Sequence, residues 1–217
     1  MFDTAINAND LIFLAKGAGM TIFVTVISVF FGTVLGILFG VIRYQIGPVW
    51  AAPLTFVLDI FRSIPLLIQL VLTYAFLGMV LKLGLSGLTV ACMVLTMYCS
   101  AYCAEIVRGG IESVPLTLRR ASRSIGLSWG QDMRYIVMPL ATRVALPSWI
   151  GLALGVMKDS ALVYVVQVTE LLKSTQILIT RLQEPLLLLA ICGAFYFIIS
   201  FPVARFGGYL ERRWSND

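Results

Sequence analysis

No histidine occurs anywhere in the 217 residues. That removes the side chain most used as a general base near neutral pH, and a common metal ligand with it. Charge is scarce: 12% of residues are Asp, Glu, Lys or Arg, against about 25% in soluble domains. The four cysteines, Cys92, Cys99, Cys103 and Cys192, form no CxxC pair. They read as small buried apolar groups, not as a zinc or redox site. No GxxxxGK[ST] loop is present to cradle nucleotide phosphates, so ATP hydrolysis would have to come from another chain. An intramembrane enzyme needs a nucleophile–base pair or metal ligands, and neither is legible here. The N-terminus also lacks the early basic residue of a signal peptide: Asp3 and Asp10 precede the first lysine, Lys16. The first apolar run is therefore expected to be a retained helix.

What is abundant is hydrophobicity, at 59% of residues. A spanning helix needs about 20 apolar residues, and five runs approach that. They are Gly17 to Ile42, about Ala52 to Lys82, about Leu88 to Val107, about Ile136 to Met157, and Pro185 to Gly207. An all-α membrane protein with about five transmembrane helices follows, read as one domain over 1–217. Gly32, Gly36 and Gly40 form a GxxxGxxxG ladder that admits a close helix neighbour. "YQIGP" reads as a turn ending at Pro48, and Pro65 should break the second run after "DIFRSIP". Residues 160–184 are amphipathic and not uniformly apolar. The net charge of +5 is read as loop arginines that set orientation, not as a nucleic-acid site. With five spans, eleven arginines fall on one side, against Lys16, Lys82, Lys173 and Arg181 on the other. This places the N-terminus outside, the C-terminus in the cytoplasm and Lys158 within the membrane.

The loop between the third and fourth runs, about 111–135, has its own grammar. Three arginines fall within "RRASR" (119–123). Pro115 suits a helix start, Gly126 a helix end needing left-handed backbone, and Ser128 the N-cap of a second short helix. A rigid basic elbow on the cytoplasmic side is expected.

The segment from Ala101 to Pro139 resembles the cytoplasmic-loop signature of ABC importer permeases, which reads E-A-A, three residues, G, then I/V-x-x-P. Here Arg120, Ala121, Ser122 and Gly126 stand at those positions, with Val137 and Pro139 near the end. "SAYCAEIVRGGIESVP", "FRSIPLLIQL", "KDSALVYVV" and "YLERR" are similar to segments of polar amino-acid permeases, so the resemblance runs from about residue 10 to 213. It implies the type I ABC importer permease fold. It further implies ATP-binding subunits carrying the ATP and magnesium, a second permease subunit and an extracytoplasmic amino-acid-binding protein, and it places this chain in a bacterial inner membrane. No cofactor is expected in this chain. The ATPase-coupling residues would be Arg119, Arg120, Ala121, Ser122, Arg123 and Gly126. Arg120 departs from the family's Glu. The basic face should then want acidic partners, and a sister subunit bearing the usual Glu would fit a heterodimeric pore.

Intramembrane polar groups are costly and become substrate-path candidates. Lys158, Asp159 and Ser160, Ser100 and Glu105, and Gln69 on the second run are those candidates. Neighbours in a helix face different ways, so Lys158 and Asp159 should not hold one ligand together while the helix is intact. Glu105 and Arg108 share a face and can simply pair. A stand-alone secondary transporter is the alternative, although no internal repeat of the kind such folds use is visible.

Overall fold

A computed structural model describes residues 6–215, and every regular element among them is helical. Asp3 lies outside these residues. The first element, α1 (Ala8–Ser63), starts in a capping box made by Asn7 and Asp10. It is not one rod. Gly47 has φ 75°, which a side chain would strain, and Pro48 follows it without an N–H to continue the ladder. Arg43 Nε donates to Thr55 Oγ1 at 3.0 Å. Twelve residues of straight helix would separate these two by about 18 Å, so the chain bends back between them. The expected five-residue turn is in fact a one-residue break between limbs 8–46 and 48–63.

The break at Pro65 falls where the sequence places it. Ile64 is extended and caps the second limb. Then come α2 (Leu66–Ala75) and a π-helical turn, Phe76–Val80. α3 (Gly87–Glu112) is N-capped by the Ser86 hydroxyl. The elbow consists of α4 (Leu116–Ser124) and α5 (Trp129–Asp132). A π turn, Met133–Val137, leads without a break into α6 (Met138–Asp159), and Pro139, which has no N–H to donate, stands directly after that change of register. The 3₁₀ segment Ser160–Val166 follows, then α7 (Leu171–Leu182) and α8 (Pro185–Ser215).

Four of these stretches are long and apolar enough to cross a membrane: α1, α3, the continuous Trp129–Val166 and α8. Leu66–Val80 is a shorter apolar helix. Together they are the five apolar segments expected. The fourth and fifth run further than the hydropathy indicates, because polar residues at their ends are accepted once they leave the hydrocarbon.

α1 and α3 form the central pair. A Cβ on Gly32 would lie 2.6 Å from Cys99 Cβ, and one on Gly36 would collide with Cys103. The glycine ladder and the cysteine pair thus share a four-residue step and interlock, with Cys99 and Cys103 fully packed. One core joins Val24 of α1, Leu70 of α2, Leu95 of α3 and Val163 of the 3₁₀ segment. A second joins Leu14 of α1 to Leu171 and Leu178 of α7 and Leu188 of α8. A third, of Ile111, Val114, Met133, Val137 and Ala141, seats the elbow on the bundle.

Candidate functional site

The elbow is built on one buried acid. Asp132 is fully enclosed at the end of α5. Its Oδ1 accepts from the Ser122 hydroxyl at 2.6 Å, and its Oδ2 from Arg119 Nε at 3.4 Å. Arg119 also donates to the Tyr44 hydroxyl and lies 5.3 Å over that ring. A basic helix, a short second helix and the end of the first limb of α1 are thereby tied at one point. Gly126 turns the chain with φ 87°, and the Ser128–Gln131 capping box starts α5. Each of these does what its residue type favours.

The residues proposed to meet a partner separate into two groups. Arg119 and Ser122 turn inward onto Asp132. Arg120, Ala121, Arg123 and Gly126 are exposed. Leu116 and Ile125 are exposed on the same elbow, at 64% and 79%. The outer surface is therefore a basic stripe flanked by apolar side chains, a composition suited to a protein cleft.

A second charged cluster lies beside the Gly47 bend. Glu105 of α3 accepts from Arg43 at 2.9 Å, from Arg62 at 3.3 Å and from Arg108. Arg108 also holds Glu112 at 2.6 Å, and Arg62 holds Asp59 at 3.3 Å. Three arginines and three carboxylates balance, so the ends of three helical stretches are pinned without net charge. Arg43 is the most buried member, its side chain 8% exposed. Glu105 therefore serves both limbs of α1 as well as Arg108.

The other path candidates are dispersed. Gln69 Nε2 donates to the carbonyls of Phe61 and Ile64 at 2.8 and 2.7 Å, closing the helix end that Pro65 leaves open. Its Oε1 is buried and has no partner among the described residues. The hydroxyls of Ser100 and Ser160 donate to the carbonyls of Met97 and Met157, three residues earlier in each case. Lys158 is exposed, while Asp159 is partly buried with its carboxyl beside the Tyr98 hydroxyl. The two adjacent charges do face different ways. The Tyr98 ring packs at 4.9 Å from that of Tyr102, tilted by 56°, and the Tyr102 hydroxyl donates to the Arg62 carbonyl at 3.3 Å. This tyrosine column runs from Asp159 towards Glu105. A partly open cleft of about 240 Å³ between α1, α3 and α6 is lined by Ile37, Cys103, Ala141 and Trp149 and is almost wholly apolar. It offers a zwitterion nothing to bind.

Comparison with known families identifies the architecture. Residues 32–216 match the model of the binding-protein-dependent transport system inner membrane component. The chain belongs to this family. It is a multi-pass membrane permease subunit. A probable amino-acid ABC transporter permease of Bacillus subtilis is 29% identical over 216 residues, covering 100% of this chain and 95% of the relative. The glutamine transport system permease of Escherichia coli K12 is 32% identical over 204 residues, covering 92% of each. The crystal structure of an amino acid ABC transporter with histidines superposes with a TM-score of 0.85 at 25% identity, over 97% of this chain and 100% of that one. The inward-facing MetNI methionine ABC transporter shares the fold, with a TM-score of 0.81 at 22% identity over 96% and 99%.

Three parts of this permease subunit are absent from the sequence reading. Asp132 is the lone acid within a basic stretch, which is the signal that marks it in hindsight. Arg43 and Arg62 are separated from Glu105 by 62 and 43 residues, and no local pattern links them. Glu170 is fully buried at the start of α7, where it accepts from the N–H groups of Leu172 and Lys173, both at 2.7 Å. The Tyr196 hydroxyl adds a third bond at 3.3 Å. Glu is an uncommon N-cap residue, so this cap leaves little trace in the sequence.

Proposed function

We propose that the chain forms half of the translocation pathway of an ATP-driven importer for a polar or charged amino acid, or an opine-like derivative. In this reading the elbow of α4 and α5 inserts into a surface cleft of a separate ATPase subunit, which carries the ATP and magnesium. A second permease subunit completes the pathway, and an extracytoplasmic binding protein delivers the substrate. The elbow and C-terminus lie in the cytoplasm and the N-terminus outside, as the eleven-to-four distribution of basic residues favours.

One observation carries the coupling role: the Asp132 hub makes the elbow rigid while leaving Arg120 and Arg123 outside it. A rigid element tied to α1 through Tyr44 and continuous with α6 passes a partner's displacement to the spans. The amino-acid class is supported by the named relatives, which are permeases for glutamine in Escherichia coli, for arginine in Corynebacterium glutamicum, and for glutamate and aspartate in Escherichia coli. Arg120 in place of the usual Glu favours a heterodimer, with the acidic version of the contact on the sister subunit.

For the substrate path, Gln69 and Asp159 are the best placed of the candidates. Gln69 is held by two bonds and keeps an acceptor free. Asp159 faces the tyrosine column. Ser100 and Ser160 would contribute only after giving up their backbone bonds, Lys158 only from a neighbouring subunit's side, and Glu105 only by releasing an arginine.

The test is a tagged purification from native membranes in mild detergent, with every co-purifying chain identified. A P-loop ATPase is expected, together with a second, different permease. Arg120→Glu and Gly126→Trp should each release the ATPase. A chain that purifies alone, even when crosslinked before lysis, would overturn the reading.

A further inference from the structure

The helix α8 is longer than a membrane is thick. Its 31 residues rise about 46 Å, against about 30 Å of hydrocarbon. The stretch from Leu186 to Ala204 carries no charge and alone covers about 28 Å. Arg205 is the first charge after it, and so stands at the level of the lipid phosphates. Arg205, Tyr209, Arg212 and Arg213 then recur at the spacing of one helix face, and they line a single concave surface of about 590 Å³. Glu211 is set on the opposite side by the 3.6-residue turn.

The four residues are exposed. Arg205 lies 5.9 Å over the Phe201 ring, and Arg212 Nε donates to the Gly208 carbonyl at 3.1 Å, so both guanidinium stems are held near the helix. Phe201 and Phe206 are exposed just below and beside them, at 46% and 61%. Aromatics at the interface with guanidinium groups above them match the two halves of a phospholipid: ring faces for the upper acyl chains, and planar donors for the phosphodiester.

We infer that this end of α8 is a binding site for an anionic phospholipid. Arg205, Arg212 and Arg213 face the phosphate and Tyr209 donates to a headgroup oxygen. A zwitterionic headgroup is a poorer ligand, because its own cation meets three arginines. The placement rests on depth and charge alone and holds on either side of the membrane. It goes beyond the transport role and does not depend on it.

Native mass spectrometry of the detergent-extracted complex, titrated with phosphatidylglycerol or with phosphatidylcholine, tests the site. Phosphatidylglycerol should be retained more tightly, and raising the salt should weaken it selectively. Each of Arg205→Gln, Arg212→Gln and Arg213→Gln should weaken its retention about fivefold, and the triple variant by about a hundredfold. Lys16→Gln, at the other end of α8 where Leu14 packs on Leu188, should change nothing. If the triple variant assembles poorly, the single variants and the salt titration of the unaltered complex decide. Equal retention of the two lipids overturns the site. So does a triple variant that keeps its lipid but sheds a protein subunit, which would make the patch a protein contact.

Discussion

Arg119 and Asp132 meet inside the elbow, the guanidinium of one helix against the enclosed carboxylate of the next. The contact makes Asp132 the keystone of 116–132. Removing one partner of a buried ion pair costs about 3–5 kcal/mol, because the other is left buried and uncompensated. Asp132→Ala should therefore loosen the elbow locally. Hydrogen exchange is expected to rise across residues 116–132 and to stay unchanged in the centre of α3. Asp132→Asn, which keeps an acceptor for Ser122, should give a smaller rise. Unaltered exchange in Asp132→Ala would remove the keystone role.

The neighbouring arginines should behave oppositely on charge reversal. Arg119 has a side chain 12% exposed and faces Asp132. Arg119→Glu sets two carboxylates together and should lower thermal stability in detergent, by about 3 kcal/mol or more. Arg120 is exposed, so Arg120→Glu should shift stability by no more than about 0.5 kcal/mol while releasing the ATPase. Melting curves and co-purification, measured on both variants, check the separation. Equal melting temperatures for the two would mean that the inward and outward roles are not distinct.

The sequence showed the elbow's outline but not its interior. Pro115, Gly126 and Ser128 punctuate it through their own backbone preferences, which are local and so legible. Asp132 matters because α4 and α5 fold onto it, which is tertiary. The same division runs through the bundle. Gly32, Gly36 and Gly40 announce a close approach, and Pro65 announces a break, because each acts on its own stretch of chain. That the ladder's partner is the pair Cys99 and Cys103 follows only when α1 and α3 are set side by side. Glu105 reads as an i,i+3 partner of Arg108, and that part is local. Its contacts with Arg43 and Arg62 exist because the chain reverses at Gly47. Hydropathy places α8 correctly but stops at Gly207, since it measures the solvent a helix sits in and not where the helix ends.

The interlock of α1 with α3 gives a prediction whose sign depends on position. A methyl group on Gly32 would stand 2.6 Å from Cys99 Cβ and 3.0 Å from the Thr96 carbonyl oxygen. Gly32→Ala should destabilise by about 1–3 kcal/mol through overpacking. Adding Cys99→Gly should restore part of the loss, the Thr96 contact remaining. Gly193 of α8 has nothing within 4 Å of its Cβ position. Gly193→Ala should be neutral or stabilising by up to about 1 kcal/mol. Melting temperatures of the purified subunit in one detergent decide the matter. A Gly32→Ala variant as stable as Gly193→Ala would mean the ladder does not pack as described.

Glu105 and Glu112 both contact Arg108, yet their removal should not cost the same. Glu112 is half-exposed and, among the described residues, forms its ion pair with Arg108 only. An exposed i,i+4 pair contributes about 0.3–0.5 kcal/mol, so Glu112→Gln should scarcely move the melting temperature. Glu105 also answers Arg43, which is buried, and Arg62, which belongs to the other limb of the bend. Neutralising it leaves three guanidinium groups facing one another. Charged hydrogen bonds of this kind are worth about 1.5–3 kcal/mol where buried, and the partial exposure of the site puts Glu105→Gln near 2 kcal/mol, about four times the loss for Glu112→Gln. Arg43→Gln in the Glu105→Gln background should recover stability, because it removes the charge left without a partner. If the double variant is instead no more stable than Glu105→Gln, the cluster is not held together by the Arg43–Glu105 pair, and the bend at Gly47 must rest on the Arg43–Thr55 hydrogen bond and its packing alone.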